Sequence, residues 1–300
     1  MVNVTLIGTG GMLPLPDRWL TSLWLEYNGK ACLIDCGEGT QIAIAQHKLK
    51  LSHLDTILIT HTHADHISGL AGLLLSLGNC GKTDTLKIYG YTGITEIIRQ
   101  LLCICPVLPF RIEIVELPIN TKSSFMWNDI VISSLPLDHS IDCLGYSFVL
   151  NRKAVFAPEK AKALGIDVKY WKTLHSGKSI DINAKTITPD MVTAESRSPI
   201  KVSYITDTRY FGGLEEFAAN SDLLICEGMY GDDEYIIKMR EKGHMVFSQS
   251  GKLAVNSHSK RLWLTHYSPA LTNPYDYEEF MKNLFPETII SSDGQSITLK

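Results

Sequence analysis

Residues 55–66, Asp55-Thr56-Ile57-Leu58-Ile59-Thr60-His61-Thr62-His63-Ala64-Asp65-His66, decide the fold. The half before the histidines is apolar and β-branched, the pattern of a parallel strand buried on both faces. Ile67-Ser68-Gly69-Leu70-Ala71-Gly72-Leu73-Leu74-Leu75 follows and reads as a helix rich in small residues. This order puts three histidines and a carboxylate at the carboxyl end of a strand, where open α/β sheets carry their chemistry. In an extended turn His61 and His63 project the same way and can hold one metal, while Asp65 and His66 fall on the next bend and can reach a second. Imidazole nitrogen and carboxylate oxygen are the donors of open catalytic sites for zinc and similar borderline metals. Four such donors in six positions after a buried strand set this run apart from an ordinary polar surface loop.

Working outward, three more predicted strands end on donors. Asp138-His139-Ser140 closes 130–137, Thr206-Asp207-Thr208-Arg209 closes 201–205, and Thr265-His266-Tyr267 closes 261–264. Asp207, with two oxygens, can bridge two metals. Each late donor alone reads as an ordinary structural residue; it is the set that carries the signal. The remaining pattern predicts strands over 2–7, 22–27, 31–35, 85–90, 111–117, 144–150, 222–226, 288–291 and 296–299. Helices are predicted over 39–48, 66–78, 92–104, 232–242, 246–257 and 276–284. Strand-rich stretches punctuated by helices in both halves predict two sheets packed together with helices outside, a four-layer αββα sandwich.

Three hundred residues with 45% apolar content and a net charge of −4 describe a globular chain with no global pull towards polyanions. The longest apolar run, around Leu70–Leu77, is too short and glycine-rich to span a bilayer. Seven scattered cysteines, odd in number and without a C-x-x-C pair, fit a reducing, cytoplasmic setting. One segment departs from the acidic balance: 151–185 holds eight basic residues, Lys153 among them, against three acidic ones. Such a local excess reads either as a solvated excursion or as an arm that touches phosphates. Tyr170 and Trp171 within it can stack on bases or anchor the arm by packing.

The H-x-H-x-D-H cluster with later His, Asp and His at strand ends resembles the metallo-β-lactamase superfamily. Within it, Leu33-Ile34-Asp35-Cys36-Gly37-Glu38-Gly39-Thr40-Gln41 is similar to the D-C-G-E-G-T-Q signature of the ribonuclease Z family, short form. Gly8-Thr9-Gly10-Gly11, Thr206–Arg209 and Leu264–Pro269 are similar to further motifs of the same family. The resemblance covers essentially the whole chain and implies one metallo-β-lactamase-fold domain over 1–300, with 151–185 inserted as a protruding substrate-binding arm. It implies a hydrolase binding two zinc ions per subunit, or manganese in their place. His61, His63 and His139 would hold one ion and Asp65, His66 and His266 the other, with Asp207 bridging. Asp65 would also orient or deprotonate the attacking water, Asp35 would orient ligands from behind, and His244, in a helix-starting Gly243-His244-Met245, would assist the leaving group, with Glu227 a neighbour. Lys160, Lys162, Lys169 and Lys172 are the candidate substrate contacts. The implied reaction is endonucleolytic removal of the 3′ trailer from precursor tRNA, leaving a 3′-hydroxyl, by a cytoplasmic homodimer. The alternative is a phosphodiesterase of the same fold acting on a small cyclic or dinucleotide substrate. Two stretches depart from the family pattern: Leu15-Pro16-Asp17-Arg18-Trp19 lacks the asparagine of an Arg-Asn pair. Ile166-Asp167-Val168-Lys169 stands where the arm carries Gly-Pro, after the helix Pro158–Gly165.

Overall fold

The computed structural model describes residues 1–300 apart from Pro106, Lys153, Asn183, Ala184, Glu195 and Ser196, so the predicted arm residue Lys153 lies outside the described residues. The chain divides into two compact units, one of Met1–Val149 with Lys201–Lys300 and one of Leu150–Ile200. The larger holds two seven-stranded sheets. The first comprises β1 (Val2–Gly8), β2 (Ser22–Tyr27), β3 (Lys30–Ile34), β4 (Leu54–Leu58), β5 (Leu86–Tyr91), β6 (Ile112–Leu117) and β16 (Ser296–Leu299), in the order 16-1-2-3-4-5-6. The second comprises β7 (Ser123–Trp127), β8 (Ile130–Leu137), β9 (Cys143–Leu150), β12 (Ile200–Ile205), β13 (Leu223–Glu227), β14 (Leu262–Thr265) and β15 (Thr288–Ile290), in the order 15-14-13-12-9-8-7.

Each sheet changes from antiparallel to parallel pairing along its width. β16, β1, β2 and β3 pair antiparallel, then β3 to β6 run parallel, and β12 to β15 are likewise parallel. Parallel neighbours need crossovers, and helices supply them. Leu214, Phe217, Phe247, Leu253, Ala254 and Met281, all helical, pack on Leu224, Cys226, Leu262 and Leu264 of the second sheet. The sheets meet where Tyr146 Oη donates to Ile59 O and Leu144 N to Thr60 O. Every residue of β13 and β14 is buried, as strands covered on both faces require. The result is the αββα sandwich that the pattern predicts, the architecture of the metallo-β-lactamase fold that the resemblance implies.

Local differences have physical causes. The predicted helix over 66–78 is two helices, Ala64–Ile67 and Leu70–Asn79, interrupted at Ser68-Gly69. The strand predicted to reach residue 35 stops at Ile34, because Asp35 turns to a left-handed φ of 60°. The helix following Gly243 begins at Phe247, not at Gly243; Gly243, at φ 83°, ends the helix Ile236–Lys242 instead. Strand β7 and the helix Gly213–Ala218 appear where no element was predicted.

The smaller unit builds its own core from Ala161, Ile166, Leu174, Ile187 and Val192, with Phe156, Tyr170 and Trp171 packed against it. Trp171 Nε1 donates to Ile166 O and its ring leans on Phe156, so packing is the role its contacts show. A hairpin of β10 (Ile180–Ile182) and β11 (Lys185–Ile187) completes it. Among the described residues no helix is long and apolar enough to cross a membrane.

Candidate metal centre

The donors gather at the carboxyl ends of β4, β8, β12 and β14. Two residues past β4 comes the buried Thr60, followed by His61 and His63; His63, on extended backbone, precedes the short helix that carries Asp65 and His66. His61 Nε2 lies 3.0 Å from His63 Nδ1, which lies 3.2 Å from His139 Nε2. A second group forms where His66 Nε2 lies 3.2 Å from His266 Nε2, with Asp65 Oδ2 at 3.6 and 3.4 Å from these two nitrogens. Asp207 stands between the groups: Oδ2 is 3.3 Å from His66 Nε2, and Oδ1 is 3.3 Å from His266 Nε2 and 3.9 Å from His61 Nε2. The structure thus brings together all seven donors named from the sequence.

These separations fit a metal. Bonds of ~2.0–2.1 Å in a tetrahedron put neighbouring donors about 3.3 Å apart. The buried Asp207 Oδ2 has no hydrogen-bond donor among the described residues, which is costly for a carboxylate oxygen with nothing else to bind. His61, His63 and His139 form one group able to hold an ion, and Asp65, His66 and His266 another. Imidazole and carboxylate without thiolate suit a borderline divalent metal.

Hydrogen bonds behind the donors aim them. Asp35, fully buried, accepts from Thr60 N and Thr60 Oγ1 at 2.8 Å and from His66 Nδ1 at 2.8 Å. With the ring proton on Nδ1, the His66 Nε2 lone pair faces the centre. His139 Nδ1 donates to Gly243 O at 2.8 Å and leaves its Nε2 free in the same way. Met12 N donates to Asp65 Oδ2 at 2.6 Å. Gly11 stacks against His266, where a Cβ would come within 2.8 Å of the ring, so only glycine permits this approach.

The charges differ between the two donor groups. Burial holds His61 well below its usual range and lowers His63 and His139, keeping all three neutral. Burial also disfavours the His66 cation, but Asp207, Asp35 and Asp65 outweigh it and push the group up to about 10. Burial, the larger effect, pushes Asp35 up against the pull of His66 and Thr60. Burial would raise Asp65 and Asp207 too, yet the surrounding histidines hold both far below the usual carboxylate range.

His244 sits beside the centre rather than in either group of three. Its Nδ1 is 2.9 Å from Glu227 Oε2 and 3.8 Å from Asp207 Oδ1. Burial opposes protonation, but Glu227 and Asp207 push the group up to about 9. Glu227 is fully buried and also accepts from Thr208 N. A cavity of about 700 Å³ is lined by the donors His63, Asp65, His139, Asp207 and His266, and also by Tyr230, Lys238 and Lys242. Thr60, Met12 N and Arg209 were not singled out from the sequence; each bonds a partner more than 20 residues away, which no local pattern signals, although Thr60 Oγ1 also lies 3.0 Å from the adjacent His61 Nδ1. Arg209 Nη1 binds Asp138 Oδ1 at 2.8 Å and Nη2 donates to Glu241 O at 3.1 Å, tying the His139 loop to the end of the helix before His244. Lys160, Lys162, Lys169 and Lys172 belong to the smaller unit; there Lys160 Nζ donates to Thr193 O, and Lys169 pairs loosely with Asp167.

Residues 2–104 match the family model described as Anti-Pycsar protein Apyc1. The fold is shared with human tRNase Z, short form, at TM-score 0.71 and 24% identity over 99% of both chains. It is shared too with the metallo-β-lactamase fold protein YhfI from Bacillus subtilis, at TM-score 0.70 and 19% identity over 99% of this chain and 98% of that one. The sequence is 45% identical over 298 residues to a ribonuclease Z of Clostridium acetobutylicum, spanning 98% of this chain and 96% of the relative. With likeness of that depth running from end to end, through every strand end that carries a donor, the chain belongs to the ribonuclease Z family.

Proposed function

We propose that this chain cuts precursor tRNA endonucleolytically, removing the 3′ trailer and leaving a tRNA 3′-hydroxyl. The observation that carries the reading is the pair of donor groups sharing Asp207 under one cavity, in a chain of the ribonuclease Z family. Two zinc ions per subunit are the proposed complement, with manganese the metal the same donors also accept. Bound there, divalent ions supply Lewis acidity to an anionic phosphodiester and make water available as a nucleophile near neutral pH. His61, His63 and His139 would hold one ion, Asp65, His66 and His266 the other, and Asp207 both.

The protein's own groups then divide the work. Asp65, held by Met12 N, orients or deprotonates the attacking water. Asp35 and Thr60 keep the His66 ring fixed. His244, kept protonated by Glu227, donates to the departing ribose oxygen. Such general acid help is worth about 10²–10⁴-fold. The enzyme works as a cytoplasmic homodimer, and Lys160, Lys162, Lys169 and Lys172 of the smaller unit grip the body of the tRNA.

The test is incubation of the metal-loaded protein with a precursor tRNA carrying a 3′ trailer, with a chelator control and mapping of the cut. One metal-dependent cut beside the discriminator base supports the reading. An intact precursor alongside hydrolysis of bis-nitrophenyl phosphate overturns it in favour of a small-substrate phosphodiesterase.

A further inference from the structure

The cavity over the metal donors has a second wall that the chemistry above leaves unused. Lys238 and Lys242 line it, one helical turn apart on the helix Ile236–Lys242. Residues spaced by four share a helix face, so both ammonium groups serve the same side. Neither takes part in any ion pair among the described residues. Carboxylates are not scarce nearby: Asp232, Asp233, Glu234 and Glu241 flank them in sequence. Two cations left unneutralised in an acidic chain, facing a centre built for a phosphodiester, call for an anion from outside.

Lys238 is also held in place. Its Nζ lies 5.7 Å from the ring centroid of Tyr230 and 5.5 Å from that of Tyr235, and the two rings stack at 4.4 Å. A cation–π contact restrains a flexible lysine without cancelling its charge. Tyr230 in turn accepts from Ser268 Oγ at 3.0 Å, two residues beyond His266. The cationic wall is therefore fastened to the loop that carries a metal donor. A volume near 700 Å³ exceeds what one phosphate group fills and suits a nucleotide-sized ligand.

We propose that Lys238 and Lys242, with Tyr230 behind them, form a subsite for a backbone phosphate of the substrate strand next to the one cleaved. The proposal rests on the nuclease reading, since a small diester has no neighbouring phosphate to offer. The subsite places the strand across the cavity and gives the enzyme a preference for a phosphate inside a chain over an isolated diester.

The experiment compares the metal-loaded wild type with K238Q/K242Q and K238R/K242R, using K48Q as the control at an exposed lysine outside the cavity. Cleavage of precursor tRNA is measured as kcat/KM across a salt series, and bis-nitrophenyl phosphate hydrolysis is measured in parallel. Each phosphate contact on a single strand contributes about 0.7 to the slope of log affinity against log salt, so losing two contacts lowers that slope by about 1.4. The expected result is a fall in the slope and at least a tenfold fall in the ratio of RNA to diester kcat/KM for K238Q/K242Q, largely restored by K238R/K242R. Equal losses on both substrates, or a slope that matches K48Q, overturn the proposal. If the wild type cuts no precursor tRNA, the nuclease reading fails by itself. The subsite is then decided by fluorescence anisotropy with a labelled single-stranded RNA: a smaller slope in K238Q/K242Q sustains it, and an identical slope removes it.

Discussion

Replacing Asp35 by asparagine isolates the effect of aiming one donor. Asp35 lies at φ 60°, a region asparagine enters readily, so the backbone is preserved. The carboxylate accepts from three donors, Thr60 N, Thr60 Oγ1 and His66 Nδ1. An amide has one acceptor oxygen. If that oxygen keeps Thr60 N, the amide nitrogen faces His66 Nδ1, which must then accept, and the ring proton moves to Nε2. A protonated Nε2 cannot ligate. If the amide turns over instead, its NH₂ meets Thr60 N–H in a fully buried site, and an unpaired buried donor costs about 1–3 kcal/mol. Loss of such an outer hydrogen bond typically weakens metal affinity 10–100-fold, or about 1.4–2.7 kcal/mol. Competition against a chromophoric chelator should show one tightly bound ion and one weakened by that factor, with nuclease activity recovering at high metal concentration. Full affinity at both sites, or an equal loss at both, would refute the reasoning that Asp35 acts chiefly by aiming His66.

Further outcomes follow from neighbouring contacts. H244A should lose about 10²–10⁴-fold on an RNA substrate but much less on bis-nitrophenyl phosphate, whose leaving group needs no proton; equal losses would remove His244 from that role. R209A frees the His139 loop from the helix before His244, so kcat should fall roughly tenfold or more while the melting temperature moves by only a few degrees, as expected for a partly exposed ion pair. Asp293, which accepts from Thr9 Oγ1 and Trp19 N, is raised by burial more than these donors lower it. The folded state therefore binds its proton more tightly than the unfolded chain, and the wild type should gain stability relative to D293N as pH falls through the raised value; a gain by D293N would reverse the sign. A thiol reagent should label the exposed Cys80 and Cys103 in the native protein and reach the buried Cys32, Cys36, Cys143 and Cys226 only on unfolding. Burial pushes Cys36 and Cys226 up to about 12, which mass mapping of native labelling would contradict if either reacted early.

The parts of this molecule that can be read from sequence are those in which neighbours in the chain are neighbours in space. His61, His63, Asp65 and His66 lie within six positions after a β-branched run, and the strand-to-helix change is visible in hydrophobic period alone. His139, Asp207 and His266 are legible only jointly, since a lone donor at a strand end has many ordinary explanations. Strand β7 escapes because its sequence SSFMW opens with two serines and only Trp127 is buried, so it never looks like a buried strand. The helix predicted over 232–242 does end at Lys242, but the role of Gly243 escapes because it reads equally as a helix start; only its φ of 83°, and the His139 ring where its Cβ would go, show that it closes that helix. Lys238 and Lys242 read as a solvated helix face until the cavity beside them is seen.

The backbone around the centre carries a constraint that no residue pattern displays. Asp35, Asp207 and His266 follow β3, β12 and β14, and all three adopt left-handed conformations, at φ 60°, 53° and 60°; Met12, which binds Asp65, does so at 66°. Residues other than glycine in this region cost of order 1–3 kcal/mol and persist only where surrounding contacts over-determine them. Asparagine-like aspartate bears this more easily than a histidine, so His266 needs the strongest support. That support comes from the opposite end of the chain: Tyr267 N donates to Thr9 O, Gly11 N donates to Tyr267 O, and Gly11 leaves room for the imidazole. The N-terminal glycine turn could be mistaken for a phosphate cradle. Its amides instead bind a backbone carbonyl through Gly11 and a carboxylate through Met12, so its glycines serve to hold His266 and Asp65 in conformations their own segments would not keep.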